Sequence, residues 1–483
     1  MDSSAENLQQ HLEAPLGRGH VPVNAHTGAA GGAACGDLIR ISLALDPQSP
    51  AGTIAEVGFQ ASGCGASIAA GSAVVALLRG RPLLDAARIG PNEIEAELGG
   101  LSVAKRHAVE LAADALHRAL GWAARGQAQL TPEPSRALVA MSGGVDSAVA
   151  ALLVARQGSQ VVGVTLELWS DPENDGEASC CSAQAVRGAR ELAHGLGMAH
   201  LSIDLRAEFR AGVVDGWLAD HGAGLTPNPC VRCNGNVRLD AMLELGERLG
   251  ARTLATGHYA RVKNGRLLRM ASDVAKDQSY VLSALSPDSL ERLRFPLGAM
   301  RKEQVRELAQ QAGLSVARKP DSQDLCFLAG TRHGDFLARH GGLGPKPGPI
   351  VDQRGEVLGE HRGAHAYTVG QRHGLGIGAG HPLYVLGTDA TANTVTVGPR
   401  EALLAAELAV RELTLHRPAD CVDGVRVRSH GRRFPCRIER DLRAGRHASV
   451  SIALAEPAER TAPGQLACLY AGDVVVGYGT ISA

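Results

Sequence analysis

Between residues 137 and 256, short apolar runs alternate with longer amphipathic stretches. The runs at 137–141, 161–168, 200–204 and 253–256 read as strands, and 148–156, 183–196 and 236–249 carry apolar residues at helical spacing. This alternation predicts a parallel sheet flanked by helices. Upstream, 39–45 and 56–61 alternate apolar and polar residues as strands do, and helices are expected over 67–78 and 107–122, which together make an α+β unit. Downstream of Ala364, short strands separated by Gly and Asp turns, at 394–397, 424–427, 449–454 and 474–478, predict a β-barrel. The expected organisation is a flexible Gly/Ala-rich leader at 1–34, the α+β unit at 35–125, a linker at 126–136 holding Pro132 and Pro134, and an α/β domain at 137–295. A small connecting domain at 296–362 and a barrel domain at 363–483 complete it.

Composition adds limits. A chain of 483 residues suits about three domains at roughly 150 residues each. A net charge of −1 gives no global nucleic-acid signal. Locally, eight arginines between Arg426 and Arg446 face only Glu439 and Asp441, which is either a phosphate-contacting face or a solvated strand face. No apolar stretch is long enough for a membrane span and residues 1–20 lack an apolar signal core, so a cytoplasmic protein without a membrane partner is expected. In a reducing compartment the ten cysteines point to metal or sulfur chemistry before structural disulfides.

Ser142-Gly143-Gly144-Val145-Asp146-Ser147 joins an apolar strand to a helix. Strand, glycine turn and helix N-terminus form an anion cradle, in which the glycines let the backbone approach a phosphate and the two serines offer hydroxyls. No Gly-Lys-Ser/Thr follows, so this is not a Walker loop. Cys230 and Cys233 form a Cys-x-x-Cys stiffened by Pro227 and Pro229. Three readings stand: half of a metal site, a redox pair, or one working thiol with a neighbour. The vicinal Cys180 and Cys181 would complete a four-thiolate zinc or iron–sulfur site with that pair. Cys326 ends a polar segment and reads, alone, as a buried thiol; Cys421, Cys436 and Cys468 read as core or bystander residues.

Seven segments in order narrow the field: 141–147, 226–234, 255–261, 276–280, 321–327, 368–376 and 462–465. With them the chain from about 137 to 483 closely resembles the tRNA-specific 2-thiouridylases of the MnmA type. The resemblance implies a PP-loop ATPase domain with ATP on Ala140, Met141, Ser142, Gly143, Gly144, Val145, Asp146 and Ser147, and with Leu166 and Gly257 at further nucleotide positions. Magnesium is expected to bridge the phosphates, with Asp146 helping to hold it. The implied chemistry adenylates the 2-oxygen of the wobble uridine, turning a poor leaving group into AMP, and then substitutes sulfur. Cys326 matches the persulfide carrier and Cys233 the catalytic nucleophile. Asn228, Pro229, Cys230, His258, Lys276, Asp277, Gln278, Arg428, Ser429 and Gln465 match tRNA-contacting positions. The implied partners are tRNAs with Lys-, Glu- and Gln-type anticodons and a cysteine desulfurase or sulfur-relay protein as donor. Many family members carry Asp where this chain has Cys230, which opens a second route in which an iron–sulfur cluster on Cys230 and Cys233 handles the sulfide. Other adenylating loop enzymes do not need Cys233 and Cys326; a non-catalytic iron–sulfur carrier that binds tRNA would not need the loop.

Residues 35 to about 122 resemble a second family, the IscU/NifU-type iron–sulfur scaffolds, through Ala34-Cys35-Gly36-Asp37, Ser62 to Ala69 and Lys105-Arg106-His107. The resemblance implies metal or cluster ligation, zinc included, by Cys35, Asp37, Cys64 and His107. Ala108 stands where the family's third cysteine follows the histidine, so cluster assembly by this domain alone is in question.

Overall fold

The computed structural model describes residues 3–32, 36–171, 182–264, 266–321, 325–328 and 330–482. Cys35, Cys180 and Cys181 lie outside them.

The N-terminal unit is larger than expected. Helix Ser3–Glu13 and strand His26–Gly31 fall in the stretch read as a flexible leader. The strand pairs antiparallel with Leu38–Leu45, which pairs in turn with Ile54–Ser62. The small residues that suggest flexibility serve packing instead: a Cβ on Gly28 would lie 2.1 Å from the Ala115 carbonyl, so only glycine lets this strand press on helix His107–Gly126. Ile39, Ile41 and Leu43 are fully buried on the inner face of the sheet, against helices Gly65–Leu78 and His107–Gly126.

The expected parallel sheet is present, with strand order Leu293–Arg294, Ala251–Ala255, Glu133–Ala140, Gln160–Glu167, Ala199–Asp204. Order reverses beside the first strand of the domain: the chain continues to one side and returns on the other. Ligands bind at such a switch point, beyond the carboxyl ends of the strands. The linker is shorter than predicted, because Glu133 already pairs with Ala251. Pro134 is tolerated there because the pairing is irregular between Glu133 and Ala137.

The N-terminal unit is docked rather than tethered. Helix His107–Gly126 lies along Ala199–Asp204, the edge strand of the parallel sheet, and a Cβ on Gly121 would sit 1.9 Å from the Ser202 carbonyl. Ala87 accepts the His200 N–H at 3.0 Å, and buried Arg190 donates to Asp114 at 2.9 Å.

The C-terminal region holds two sheets. Gly348–Val351, Val357–His361, Tyr384–Asp389 and Thr394–Gly398 form a four-stranded sheet with its own core of Ile350, Val385, Val395 and Val397. The strand expected in the barrel at 394–397 therefore belongs elsewhere, because its apolar face closes on that smaller core. The barrel itself has six strands: Leu404–Leu415, Gly445–Glu459, Phe434–Arg437, Gly424–Arg426, Leu466–Ala471 and Val474–Ile481, closed by pairing of the last with the first. A hairpin of the α/β domain, Ala260–Lys263 with Leu267–Met270, adds to it through Arg269 and Val474.

Candidate functional site

The loop 141–147 leaves the Glu133–Ala140 strand and enters helix Val145–Arg156. Gly143 adopts φ +68°, which favours glycine. Thr165 Oγ1 donates to the Met141 carbonyl at 2.9 Å and holds the entry. Ser147 was expected to offer its hydroxyl to phosphate; it is buried and donates to the Gly144 carbonyl at 3.0 Å, so it braces the loop. Gly257 belongs here for a steric reason: a Cβ on it would lie 2.7 Å from the backbone at Asp146 and Ser147. Leu166 is buried in the neighbouring strand.

Asp146 does more than sequence suggests. Its two oxygens each accept from Lys302 Nζ at 2.8 Å, and Oδ1 also accepts from the Tyr259 hydroxyl at 2.8 Å. The carboxylate expected to help hold magnesium is thus the anchor of a lysine. Lys302, buried at the start of helix Lys302–Gln311, also pairs with Asp321 at 2.8 Å. Asp321 further binds Lys276 and Arg306, each at 2.9 Å, and Lys319 donates to the Gly143 carbonyl at 2.9 Å. Burial disfavours the Asp321 charge, but the hydrogen bonds from Lys302 and Lys276 outweigh it and hold its pKa at about 2. Burial and the Asp146 charge push the Tyr259 phenol up, so it stays a donor. Three cations converge on two carboxylates and a fourth, Lys319, reaches the loop backbone, an arrangement suited to a polyphosphate. Lys302 and Lys319 were not read as site residues, because they lie 156 and 176 positions from the loop residues they bind; Arg306 joins only through Asp321, and Tyr259, though in the matched segment 255–261, was given no role. Asp321 and Lys276 carried a signal in their matched segments.

The Cys-x-x-Cys begins on helix Pro229–Arg232 with Cys230, the helix being capped by Asn228 Oδ1 accepting the Cys230 N–H at 3.0 Å. The helix runs on through a π-helical segment, Cys233–Arg238. Such insertions are frequent at functional sites. Cys233 is buried; Cys230 is half-buried, and burial pushes its thiol up against the opposing effect of Arg238. Cys326 packs against the apolar cluster that contains Cys233. Its neighbour Phe327 is 2% exposed, with ring centroids 5.2 Å from both Trp217 and Phe336. Cys436 and Cys468 are buried in barrel strands, their pKa values pushed up to about 12 by burial, and Cys421 is on an exposed turn.

The residues matched to tRNA contacts divide. Asp277 is buried, ion-paired with Arg426 at 2.6 Å, and accepts the Ala271 N–H at 2.8 Å. It is a strut between the α/β domain and the barrel, withdrawn from the surface; for the same reason Arg426 leaves the basic face. Gln278 is bound to the Tyr259 backbone through its own N–H and its Oε1, Lys276 to Asp321, and Pro229 is buried. His258 is half-buried and bonds Thr256 at 2.8 Å; burial and the nearby Arg238 push its pKa down to about 3, so it is neutral. Gln465 donates to the Thr226 carbonyl. Arg428 is exposed and Ser429 half-buried, beside loop 368–376.

In the N-terminal unit, Asp37 Oδ2 accepts from the Cys64 thiol at 3.2 Å, from Ser67 at 2.9 Å and from His107 Nε2 at 2.9 Å, while Oδ1 accepts the Cys64 N–H at 2.8 Å. Burial opposes the charge on Asp37, but these bonds prevail and hold its carboxyl well below the usual range, and the Asp37 hydrogen bond raises His107. One sulfur, one nitrogen and one oxygen lie within 4.8 Å of one another, a donor set that fits a tetrahedral zinc or iron site needing one more ligand. Ala108, in the place of the third scaffold cysteine, is fully buried.

Comparison with known proteins follows these units. Residues 4–127 match the NifU-like N terminal domain, 135–330 the tRNA methyl transferase HUP domain, 334–399 the tRNA methyl transferase PRC-barrel domain and 408–481 the aminomethyltransferase beta-barrel domain. A bifunctional protein NifU/MnmA of Rubrobacter xylanophilus is 43% identical over 98% of this chain and 97% of its own length. The tRNA-specific 2-thiouridylase MnmA of Thermobifida fusca is 46% identical over 72% of this chain and 95% of its own, and that of Geobacter metallireducens 42% identical over 72% and 97%.

Proposed function

The chain belongs to the tRNA-specific 2-thiouridylases, in the bifunctional form that carries a NifU-like domain, and from this premise we propose how its residues perform the transfer of sulfur to tRNA. ATP lies on loop 140–147, between Leu166 and Gly257, with its phosphates toward the cations around Asp321. The wobble uridine 2-oxygen attacks the α-phosphorus and pyrophosphate leaves. Lys302, Lys319 and Lys276 stabilise the charge that grows on the phosphates, and magnesium bound to them would add to this.

Cys326 brings sulfur as a persulfide from a cysteine desulfurase or relay protein. Its terminal sulfur becomes the 2-sulfur of the base, by direct attack on C2 or after Cys233 frees it as sulfide. AMP departs with the former 2-oxygen. Either route ends with a Cys233–Cys326 disulfide, which a reducing thiol must reopen. The raised Cys230 thiol stays protonated and is no rival nucleophile. The cluster route would need Cys180 and Cys181, which lie outside the described residues. Asp37, Cys64 and His107, with Cys35 as the fourth ligand, would hold a metal that keeps the N-terminal unit ordered for docking a sulfur donor.

The observation that carries this reading is the loop with its bracket of Lys302, Asp146 and Asp321, in the same chain as Cys233 and Cys326. It is tested by thiolation and by tRNA-dependent ATP–pyrophosphate exchange. Cys326→Ala should lose 2-thiouridine formation and keep exchange; undiminished thiolation would sink the assignment, and exchange that survives Asp146→Ala would remove the loop from the chemistry.

A further inference from the structure

The segment 370–383, which contains most of the Gly-rich motif at 368–376, takes no part in the chemistry above. It lines an open cleft of about 510 Å3. Arg372, His373 and His381 stand on the cleft wall, all exposed, and no acidic side chain lines it. Among the described residues no carboxylate pairs with Arg372, whereas the exposed Arg400 is compensated by Glu459 at 2.6 Å. An uncompensated cationic cleft calls for an anion.

The backbone agrees. Gly376 and Gly378 line the cleft, and a Cβ on either would meet no atom of this chain within 4 Å. Gly378 has no unusual φ, so nothing within the chain demands a bare backbone there. Two backbone positions without side chains, one on each side of Ile377, let an anion approach closely. The cleft is also built rather than loose. Leu375 is buried and Ile377 packs on the core of Ile350, Val385 and Val395. Gln371 accepts the Thr368 N–H at 3.1 Å and donates to the His373 carbonyl at 2.9 Å.

Its place decides which anion. Thr368 Oγ1 is 3.5 Å from Thr226 Oγ1, in the segment that leads to Cys230 and Cys233. Two residues on, a Cβ on Gly370 would be 3.6 Å from the Arg428 guanidinium. The loop that leads into the cleft thus touches both the segment before the thiol helix and an exposed arginine of the barrel.

We propose that this cleft is a phosphate subsite for the RNA backbone: Arg372 pairs with a phosphate of the strand flanking the reacting uridine, the Gly376–Gly378 backbone cradles it, and His373 and His381 close it. The proposal rests on tRNA being the substrate. Each phosphate pairing lost from a single-stranded segment lowers the slope of log Kd against log salt by about 0.7, and one lost from a duplex by about 0.9. Full-length Arg372→Gln should therefore bind a tRNA transcript more weakly and with a slope lower by about that amount, while Arg372→Lys, which keeps the charge, should keep the slope. Thermal midpoints of both variants should equal that of the wild type, because Arg372 is exposed. An unchanged slope in Arg372→Gln, or an equal loss in Arg372→Lys, overturns the phosphate pairing. Failure of the wild type itself to bind tRNA would overturn the substrate reading, and the subsite with it.

Discussion

Asp146, in the first turn of helix Val145–Arg156, and Asp37, just before strand Leu38–Leu45, are both aspartates loaded with hydrogen bonds, and they serve opposite ends. Asp146 is held by a lysine and a phenol, Lys302 and Tyr259. Burial and the Asp146 charge push the phenol up so that it stays a donor, and the group is an electrostatic bracket that aims cations at the loop. Asp37 is held by a thiol, an imidazole and a hydroxyl, Cys64, His107 and Ser67. Thiol and imidazole can release protons and become ligands, so the same density of contacts makes a site ready for a metal. The chemistry of the partners, more than the burial of the aspartate, separates a phosphate site from a metal site.

The sharpest break in the comparison concerns thiolation itself. Cys233→Ser should lower 2-thiouridine formation by at least about 10³-fold, as loss of a nucleophile does, whereas Cys64→Ser should leave it unchanged when persulfide is supplied; nucleoside mass spectrometry reads both. Next, Lys302→Ala should cut tRNA-dependent ATP–pyrophosphate exchange by about 10²–10³-fold and destabilise the fold by ~3 kcal/mol, because Asp146 and Asp321 lose a buried partner. Calorimetry and exchange on one preparation check this, and a stable, fully active variant would contradict the bracket. On the other side, Asp37→Ala should weaken zinc binding by about 10–100-fold or more, measured by competition with a chromogenic chelator, and leave exchange untouched. The smallest effect is on acid stability. Asp321 has a folded pKa of about 2, below its ordinary value of 3.8. Its stabilisation is therefore complete above about pH 5 and is lost as pH falls toward 2, a change of about 2 kcal/mol. Asp321→Asn should flatten that part of the unfolding-versus-pH curve.

Much of this was legible in the sequence because the decisive signals are local. The loop 141–147 sits between a continuous apolar run and a helical repeat, and the strands Gln160–Glu167, Ala199–Asp204 and Ala251–Ala255 were found within one or two residues of their ends, while Glu133–Ala140 starts four residues before its apolar run. What was missed is long-range or compositional. Lys302 is 156 positions from Asp146 and carries no local mark. His26–Gly31 reads as a flexible tail because it is made of small residues, yet those residues are what the Ala115 turn of helix His107–Gly126 requires. Asp277 sits in a segment matched to tRNA contact, and only the fold shows that Arg426, 149 positions away, has claimed its carboxylate. Thr394–Gly398 has the pattern of a barrel strand, and periodicity does not say which core it closes on.

The central claim is that sulfur passes through Cys326, with the N-terminal Asp37, Cys64 and His107 outside the chemistry. The most direct test is a single turnover with full-length protein, purified anaerobically, stripped of metal by chelator and given a persulfide donor, ATP, magnesium and tRNA, with 2-thiouridine measured by mass spectrometry. The account predicts product from the stripped wild-type protein and none from Cys326→Ala. Product that appears only when iron and sulfide are restored, or that persists in Cys326→Ala, would contradict it.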